Sequence, residues 1–469
     1  MVDFWKSEQK PNSSQCYLTN RDLADMAVDA KKLIVPPQFT TISSKISANF
    51  SGFKGDEFRS WTIVYSAILL KGRLIGEHMM NWLRFVMANQ ILASSTITVS
   101  EVNEAHNLLV EFIKNNVDLY GPNFITPNMH MHLHLQQTIY DFGPLYSTWL
   151  YSFERANGDI KKIDINFKEG LEFTYMEKFL QQVHVQDYLQ MLPDSLKGNT
   201  IIMNVLKHLI PNEQFKQDEL ILDDEDMEDL VELDRNDNNS LHQERSNGQD
   251  YLFDLETFLT SSINTGIILT GSEPLPPSAL PLNTRKVIIM NNHHYNYLYE
   301  FYRSVYSASF TIKKITDNAP SSYLTAIISD QIQKFDRVNL AGQLFRCMES
   351  RTDRGAYIQA MVPLEDGCFR VGKILYFFTN EVFFPNNDNL FGPPVVKKHF
   401  FAFVRWYKPS VNQFSSFDIH NVEVWKNEFE ADSILSILPL CQIHTCVALA
   451  PYIDSNVLVL PLPRRTIGM

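Results

Sequence analysis

Residues 370–384 read RVGKILYFFTNEVFF, and residues 397–409 read KKHFFAFVRWYKP. Both runs are rich in aromatic and β-branched residues and are bounded by Pro, Asn and Gly, which is typical of β-strands separated by turns. Two shorter runs of the same kind follow, VEVWKNEF at 422–429 and VLVLPLP at 457–463. The sequence therefore predicts a small β-rich domain over residues 320–469, a β-barrel or a β-sandwich.

The N-terminal part of the chain has a different periodicity, with apolar residues recurring every three or four positions. Thr98 and Glu101 have the spacing of a capping box at a helix start. Thr126-Pro127 is a second helix start, and Gly143-Pro144 is typical of a helix end. We expect residues 20–210 to be mostly α-helical, so that the whole chain is an α+β multidomain protein.

An acidic stretch separates these two regions. Residues 213–250 hold 14 acidic and 3 basic side chains, and this local net charge of −11 accounts for most of the −13 of the whole chain. This composition predicts a disordered linker over 211–250. Residues 251–319 are expected to form a connector that is partly helical and partly Pro-rich. Because the remainder is near neutral, binding of nucleic acid by the whole surface is not expected.

Five widely scattered cysteines favour reduced thiols in an intracellular protein. Cys441, His444 and Cys446 lie close together, but no second pair of ligands follows, and we interpret them as strand residues rather than as a zinc site. No run of about 18 apolar residues exists, so no transmembrane helix and no membrane partner are expected.

Three histidines, His130, His132 and His134, follow the second helix start. In a helix, His130 and His134 share one face with Gln137 and Asp141, and a helical His pair with a carboxylate can bind zinc. Histidines that pack against neighbours, or that orient nearby acids, are the favoured alternative.

Residues 144–158, PLYSTWLYSFERANG, set Glu154 and Arg155 directly after a run of aromatic residues that includes Trp149. Packing against aromatic rings would raise the proton affinity of the Glu154 carboxylate unless Arg155, a histidine or a metal ion compensates. A salt bridge on a helix surface is the alternative interpretation.

Basic and aromatic residues alternate in the run at 397–409. Such a run can pair with and stack on nucleic acid or a peptide, although a strand with one buried face has the same pattern. The candidate binding residues are Lys397, Lys398, Arg405, Trp406 and Lys408.

Three blocks together resemble the C-terminal half of CACTA-type (En/Spm-like) DDE transposases of the forms common in fungi. They are SKISANFSGFKGDEFRSWTIVYS at 44–66, LYGPNFITPNMHMHLHL at 119–135 and DFGPLYSTWLYSFERANG at 141–158. The resemblance extends over about residues 20–165. GKILYFFT at 372–379 and FFAFVRWYKP at 400–409 are more weakly similar to the β-rich module of these elements.

This resemblance implies a ribonuclease-H-like core in which three carboxylates hold two divalent ions, Mg²⁺ or Mn²⁺, for DNA cleavage and strand transfer. Glu154 matches the third carboxylate and would be a metal ligand, supported by His130, His134, Trp149 and Arg155. The first two aspartates of the family would lie upstream of Met1, so we expect this chain alone to lack strand-transfer activity.

Three hypotheses follow from that expectation. The first is a transposase-derived nuclear protein that retains binding to DNA or to a partner. The second is a scaffold protein without enzymatic activity, whose β-rich module recognises a partner. The third is one half of a split transposase, with a second polypeptide that supplies the missing acids.

Overall fold

The computed structural model describes Trp5, Phe258 and three stretches of the chain. These are residues 18–148 except 44, 48–49, 75 and 95–96, residues 172–180, and residues 269–463 except 277–278, 280, 283–284, 317–323, 341–342, 351, 353, 363–368, 386–393, 411–421 and 454. The linker expected at 211–250 lies outside the described residues.

The chain divides into two compact units. One comprises Met1–Ser147 and Leu233–Met469, and the other comprises Thr148–Glu232. The first unit therefore combines N-terminal helices with the C-terminal sheet, whereas the predicted boundaries place them in separate domains. In the second unit, residues 172–180 are helical and are called α8 below.

Seven α-helices precede Ser147 in the described part of the chain. They are α1 Asn20–Ala30, α2 Gly55–Ser60, α3 Ser66–Leu69, α4 Gly76–Leu92, α5 Val99–Tyr120, α6 Pro127–Met131 and α7 Leu135–Phe142. A π-helical turn, Trp61–Tyr65, joins α2 to α3, and a 3₁₀ turn, His132–His134, joins α6 to α7.

The predicted helix ends are confirmed. The Thr98 hydroxyl accepts from the Glu101 backbone, and the Glu101 carboxylate accepts from the Thr98 backbone, which is the capping box at the start of α5. The Thr126 hydroxyl accepts from the Met129 backbone at the start of α6. Gly143 has a φ of +83°, which favours glycine, and it ends α7. These signals are local and are therefore readable from the sequence.

Helices α4 and α5 pack together as a hairpin whose interior includes one polar pair. The Asn81 side chain donates to Asn116 Oδ1 over 2.8 Å and to the Phe112 carbonyl over 3.3 Å, and both asparagines are buried. A hydrogen-bonded pair of this kind fixes the register of two helices that apolar contacts alone would leave free to slide.

Thirteen strands and one further helix are described after residue 280, so the sheet starts well before residue 320. The helix, α9 Asn292–Tyr306, matches the helical connector expected at 251–319, but the strands β1 to β3 in that region were missed. The strands are β1 Pro281–Leu282, β2 Val287–Ile289, β3 Thr311–Lys314, β4 Thr325–Phe335, β5 Arg337–Leu340, β6 Gln343–Arg346, β7 Tyr357–Met361, β8 Phe369–Phe384, β9 Val395–Pro409, β10 Glu423–Phe429, β11 Ile437–Pro439, β12 Ile443–Tyr452 and β13 Asn456–Pro461.

The aromatic runs at 370–384 and 397–409 form the long antiparallel pair β8–β9, to which four other strands of the sheet are joined directly. The register of this pair shifts between Ile374 and Tyr376, where a β-bulge bends the hairpin. On one side of the bulge, β8 pairs with β7 and β9 pairs with β10. On the other side, β8 pairs with β4 and β9 pairs with β11, and β2 and β3 both pair with β4. The hairpin is therefore shared by two groups of strands.

Antiparallel pairings in the first group run in a circuit. They lead from β9 to β10, β13, β12, β7 and β8, and then back to β9. One hydrophobic cluster receives side chains from all six of these strands: Tyr357, Val371, Tyr407, Trp425, Val447, Leu449, Val457 and Val459. We call this set the inner cluster.

Side chains on the opposite faces of the same strands pack into two other hydrophobic cores. Val424 of β10, Ala448 of β12 and Leu458 of β13 join the core of α1 to α4. Ile358 of β7 and Val404 of β9 join a separate core that includes Phe335 and Phe345. Both faces of the strands are thus covered, which explains why their sequences are apolar at consecutive positions.

The N-terminal region is attached to this circuit by backbone hydrogen bonds. Ile34 and Leu449 of β12 exchange two N–H to carbonyl bonds of 2.9 Å each. The Arg354 guanidinium donates to the carbonyls of Val35 and Phe39. Helices and sheet therefore share a continuous core.

Candidate functional site

The N-terminal helices α1 to α7 end just before the predicted catalytic segment. After Gly143, a 3₁₀ turn covers Leu145–Thr148. Glu154, Arg155 and Trp149 lie outside the described residues, so their predicted roles remain predictions. Leu145, which lies just before this segment, packs against the core that includes Leu109 of α5 and Ile139 of α7.

The predicted histidine pair is brought together on an exposed surface. Nε2 of His130 and Nε2 of His134 are 3.3 Å apart, and the two rings meet edge to face. Gln137 donates to Asp141 instead of to a histidine. His132 packs on the Phe85 ring, and burial lowers the pKa of its imidazole. Among the described residues, no group of three His, Cys, Asp or Glu side chains is arranged to hold a metal ion.

The candidate binding residues of β9 do not form one surface. Lys397 and Lys398 lie exposed at the start of the strand, and their ammonium groups lie over the rings of Phe384 and Phe400 at 5.6 and 5.7 Å. Within the described part of the chain neither lysine forms an ion pair. They are therefore cations that a ligand can reach.

The other three candidates already have partners, and the predicted binding role of Arg405 and Lys408 stays a prediction because their ion pairs are half-exposed. Trp406 is buried, and its indole N–H donates to the Leu435 carbonyl over 2.7 Å, so its ring cannot stack on a base. Arg405 is paired with Asp432 at 3.1 Å, and Lys408 with Glu428 at 2.8 Å. The aromatic residues of the run are largely buried because both faces of the middle of β9 are covered, whereas Lys397, Lys398 and Arg405 are exposed.

A polar cluster around His294, which sequence reasoning missed, explains the pairing of Arg405. His294 Nδ1 lies 2.6 Å from the Tyr376 hydroxyl, and its Nε2 lies 4.0 Å from the carboxylate of Asp432. Burial lowers the pKa of His294, with Asp432 opposing this effect, and burial raises the pKa of Tyr376. The tyrosine hydroxyl and the imidazole share a hydrogen bond, and this chain of contacts fastens α9 to the β8–β9 hairpin next to the bulge.

A second missed group lies in the circuit of strands. The Glu423 carboxylate is buried and accepts from Gln359 Nε2 over 2.8 Å and from Trp425 Nε1 over 2.6 Å. Burial raises the pKa of Glu423, and the two hydrogen bonds oppose that shift in part. No local sequence signal marks this residue, because Gln359 is 64 positions away and reaches Glu423 only when the strands are paired.

Comparisons with protein-family models, with curated proteins and with solved structures found no match for this chain. The fold defines its class as an α+β protein with a large, mainly antiparallel sheet. No helix among the residues described is both long enough and apolar enough to span a bilayer.

Proposed function

We propose that this chain is a transposase-derived nuclear protein that binds DNA and that does not by itself complete a strand-transfer site. The observation that supports the proposal is that described residues of all three blocks with the resemblance pack on one helical hairpin, α4–α5. Trp61 of the first block shares a core with Trp82 of α4. Leu133 of the second block and Leu145 of the third pack on the core that includes Leu109 of α5.

Glu154 is the proposed third carboxylate of this derived site. Mg²⁺ or Mn²⁺ would be held there only when a second polypeptide supplies two further acids, since the in-line displacement needs two ions. The chain alone should leave supercoiled DNA intact in Mg²⁺. With a polypeptide that carries both aspartates, nicking should appear and should fall in the Glu154→Gln variant. Nicking that is unchanged by this substitution would show that Glu154 is not a ligand of the metal ions.

We also propose that the six-stranded circuit is a small closed β-barrel. Its supporting observation is the inner cluster, because a single cluster filled from all six strands is what the interior of a small barrel requires. In this proposal the barrel is the rigid body from which the β8–β9 hairpin extends to the exposed lysines at the start of β9.

DNA binding is expected to depend on Lys397 and Lys398. Each lysine that neutralises a phosphate releases a counterion, so the Lys397→Ala/Lys398→Ala variant should bind duplex DNA several-fold more weakly. The slope of log K against log salt concentration should become less negative by about 2. Fluorescence anisotropy of a labelled duplex at several salt concentrations measures both quantities.

The matched control is Lys31→Ala/Lys114→Ala, which removes the same charge from two exposed lysines on α1's C-terminal end and on α5. Equal losses in the two double variants would mean that only net charge matters. A wild-type chain that fails to shift DNA but retains a protein partner from nuclear extract would favour the scaffold hypothesis instead.

A further inference from the structure

Strands β2 and β3 lie end to end along the outer edge of β4. β3 runs parallel to β4, from Thr311 opposite Thr325 to Lys314 opposite Ile328, and the Ile315 backbone N–H donates to the Ile328 carbonyl. β2 runs in the opposite direction, from Ile289 opposite Gln331 to Val287 opposite Gln333. The two short strands therefore form one continuous border, here called the β2–β3 rim and comprising residues 285–289 and 313–315.

The middle of the rim is apolar and exposed. The exposed fractions are 51% for Ile315, 70% for Ile289, 43% for Ile288 and 56% for Val287. Exposed apolar side chains on consecutive positions of a strand show that neither face of β2 is covered. In the described part of the chain β2 pairs with β4 on one side only, so the backbone groups of its other side can accept a further strand.

Both ends of the rim are cationic. In the direction of β4, the rim begins with Lys313 and Lys314, continues with the apolar stretch, and ends with Lys286 and Arg285. Arg285 is partly neutralised by ion pairs with Asp336 and Glu349. Lys314 donates to Asn296 and lies over the Tyr299 ring, and Lys313 also has a contact partner, so both lysines keep their charge in positions held by neighbouring groups. The sequence of β4 beneath the rim contains a single acid, Asp330.

We propose that the β2–β3 rim binds an extended peptide with an apolar centre and acidic residues at both ends, by addition of a strand beside β2. Main-chain hydrogen bonds would provide affinity, and the order basic, apolar, basic along the rim would select a ligand with the order acidic, apolar, acidic. This partner is defined by the surface of the sheet alone and does not depend on the proposed DNA binding.

The probe is a labelled synthetic peptide, Asp-Glu-Leu-Ile-Leu-Asp-Asp, whose sequence is that of residues 218–224. Anisotropy should show saturable binding to the full chain. Ile289→Lys should weaken it at least fivefold, because this change places a charge in the apolar centre of the rim. Val99→Lys is the matched control, since Val99 is an exposed apolar residue at the start of α5. It should leave the affinity unchanged.

Charge selection is tested with Lys286→Glu/Lys313→Glu. This double variant should lose affinity for the acidic peptide more than for a peptide in which Ser replaces the four acids. Absence of saturable binding to the wild type, or equal losses in Ile289→Lys and Val99→Lys, would overturn the proposal. Sedimentation that shows a dimer dissociated by Ile289→Lys would overturn it as well, because a second copy of the chain would then cover the rim.

Discussion

Replacing Gly372 with alanine is expected to lower the free energy of unfolding by about 3 kcal/mol, at the upper end of what overpacking costs. Gly372 lies on β8 opposite Trp406 of β9. A Cβ atom at this position would lie 2.5 Å from Val404 Cγ1, 2.7 Å from Trp406 Cε3 and 2.9 Å from the Arg405 carbonyl oxygen. Because the last of these atoms belongs to the backbone, no side-chain rotation relieves the overlap.

Urea denaturation followed by circular dichroism measures this effect as a lower midpoint with an unchanged slope. Gly52→Ala is the matched control, since a Cβ there meets no atom within 4 Å and should change the stability little. Adding Val404→Ala to Gly372→Ala should restore part of the loss, because the two side chains compete for one space. A Gly372→Ala variant as stable as Gly52→Ala would show that the two strands do not approach this closely.

The structural disturbance caused by Gly372→Ala should extend beyond one pair of strands. Gly372 also pairs with Ile358 of β7, so three neighbouring strands of the circuit meet at this residue. A displaced β8 would loosen β7 and β9 together. The absence of a side chain at Gly372 is therefore a condition for the circuit, whereas its backbone has no positive φ that would require glycine.

Local signals in the sequence were sufficient for the helices. The Thr98–Glu101 capping box and the Gly143 helix end each depend on atoms a few residues apart, and both were predicted. Strands β8 and β9 were also predicted, because their β-branched and aromatic residues are dense. Strands β2 and β3 were missed because each is shorter than five residues and a helix lies between them.

The candidate binding residues of β9 show why site prediction was harder. The burial of Trp406 and the pairing of Arg405 depend on Leu435 and Asp432, which contact them only after the chain has folded. Arg405 lies on the same side of the strand as Phe403 and Tyr407, which belong to different cores. It therefore occupies the junction of the two groups of strands, a position that the sequence pattern does not reveal.

Glu423 gives the second large prediction, a stabilisation by Glu423→Gln that depends on pH. The carboxylate lies in the strand circuit with hydrogen bonds from Gln359 and Trp425, and no cationic group is among its described partners. An ionised carboxylate that is buried without a cation costs free energy, and this is why burial raises the pKa of Glu423 above the usual 4.5.

The sign of the pH dependence follows from proton binding. Because its pKa is raised, folded Glu423 holds its proton more tightly than the unfolded chain does. Its contribution to stability is therefore fully present below the unfolded pKa, near 4.5, and is lost as the pH rises through the higher pKa of the folded state. Glu423→Gln removes this titration. The variant should match the wild type at pH 4 and should be more stable by about 2 kcal/mol at pH 8.

Glu428→Gln is the control for this prediction, since it makes the same change on the same strand at an exposed position. Its hydrogen bond and ion pair with Lys408 lower the pKa of Glu428, so any stability that this carboxylate contributes is present at high pH and lost on acidification. The two variants should therefore differ in the sign of their pH dependence.

The argument would be contradicted if Glu423→Gln destabilised the chain equally at pH 4 and pH 8. Glu423 would then act through its shape and hydrogen bonds and not through its charge. The opposite signs would locate Glu423 inside the circuit, because only a carboxyl removed from water gains from losing its ability to ionise.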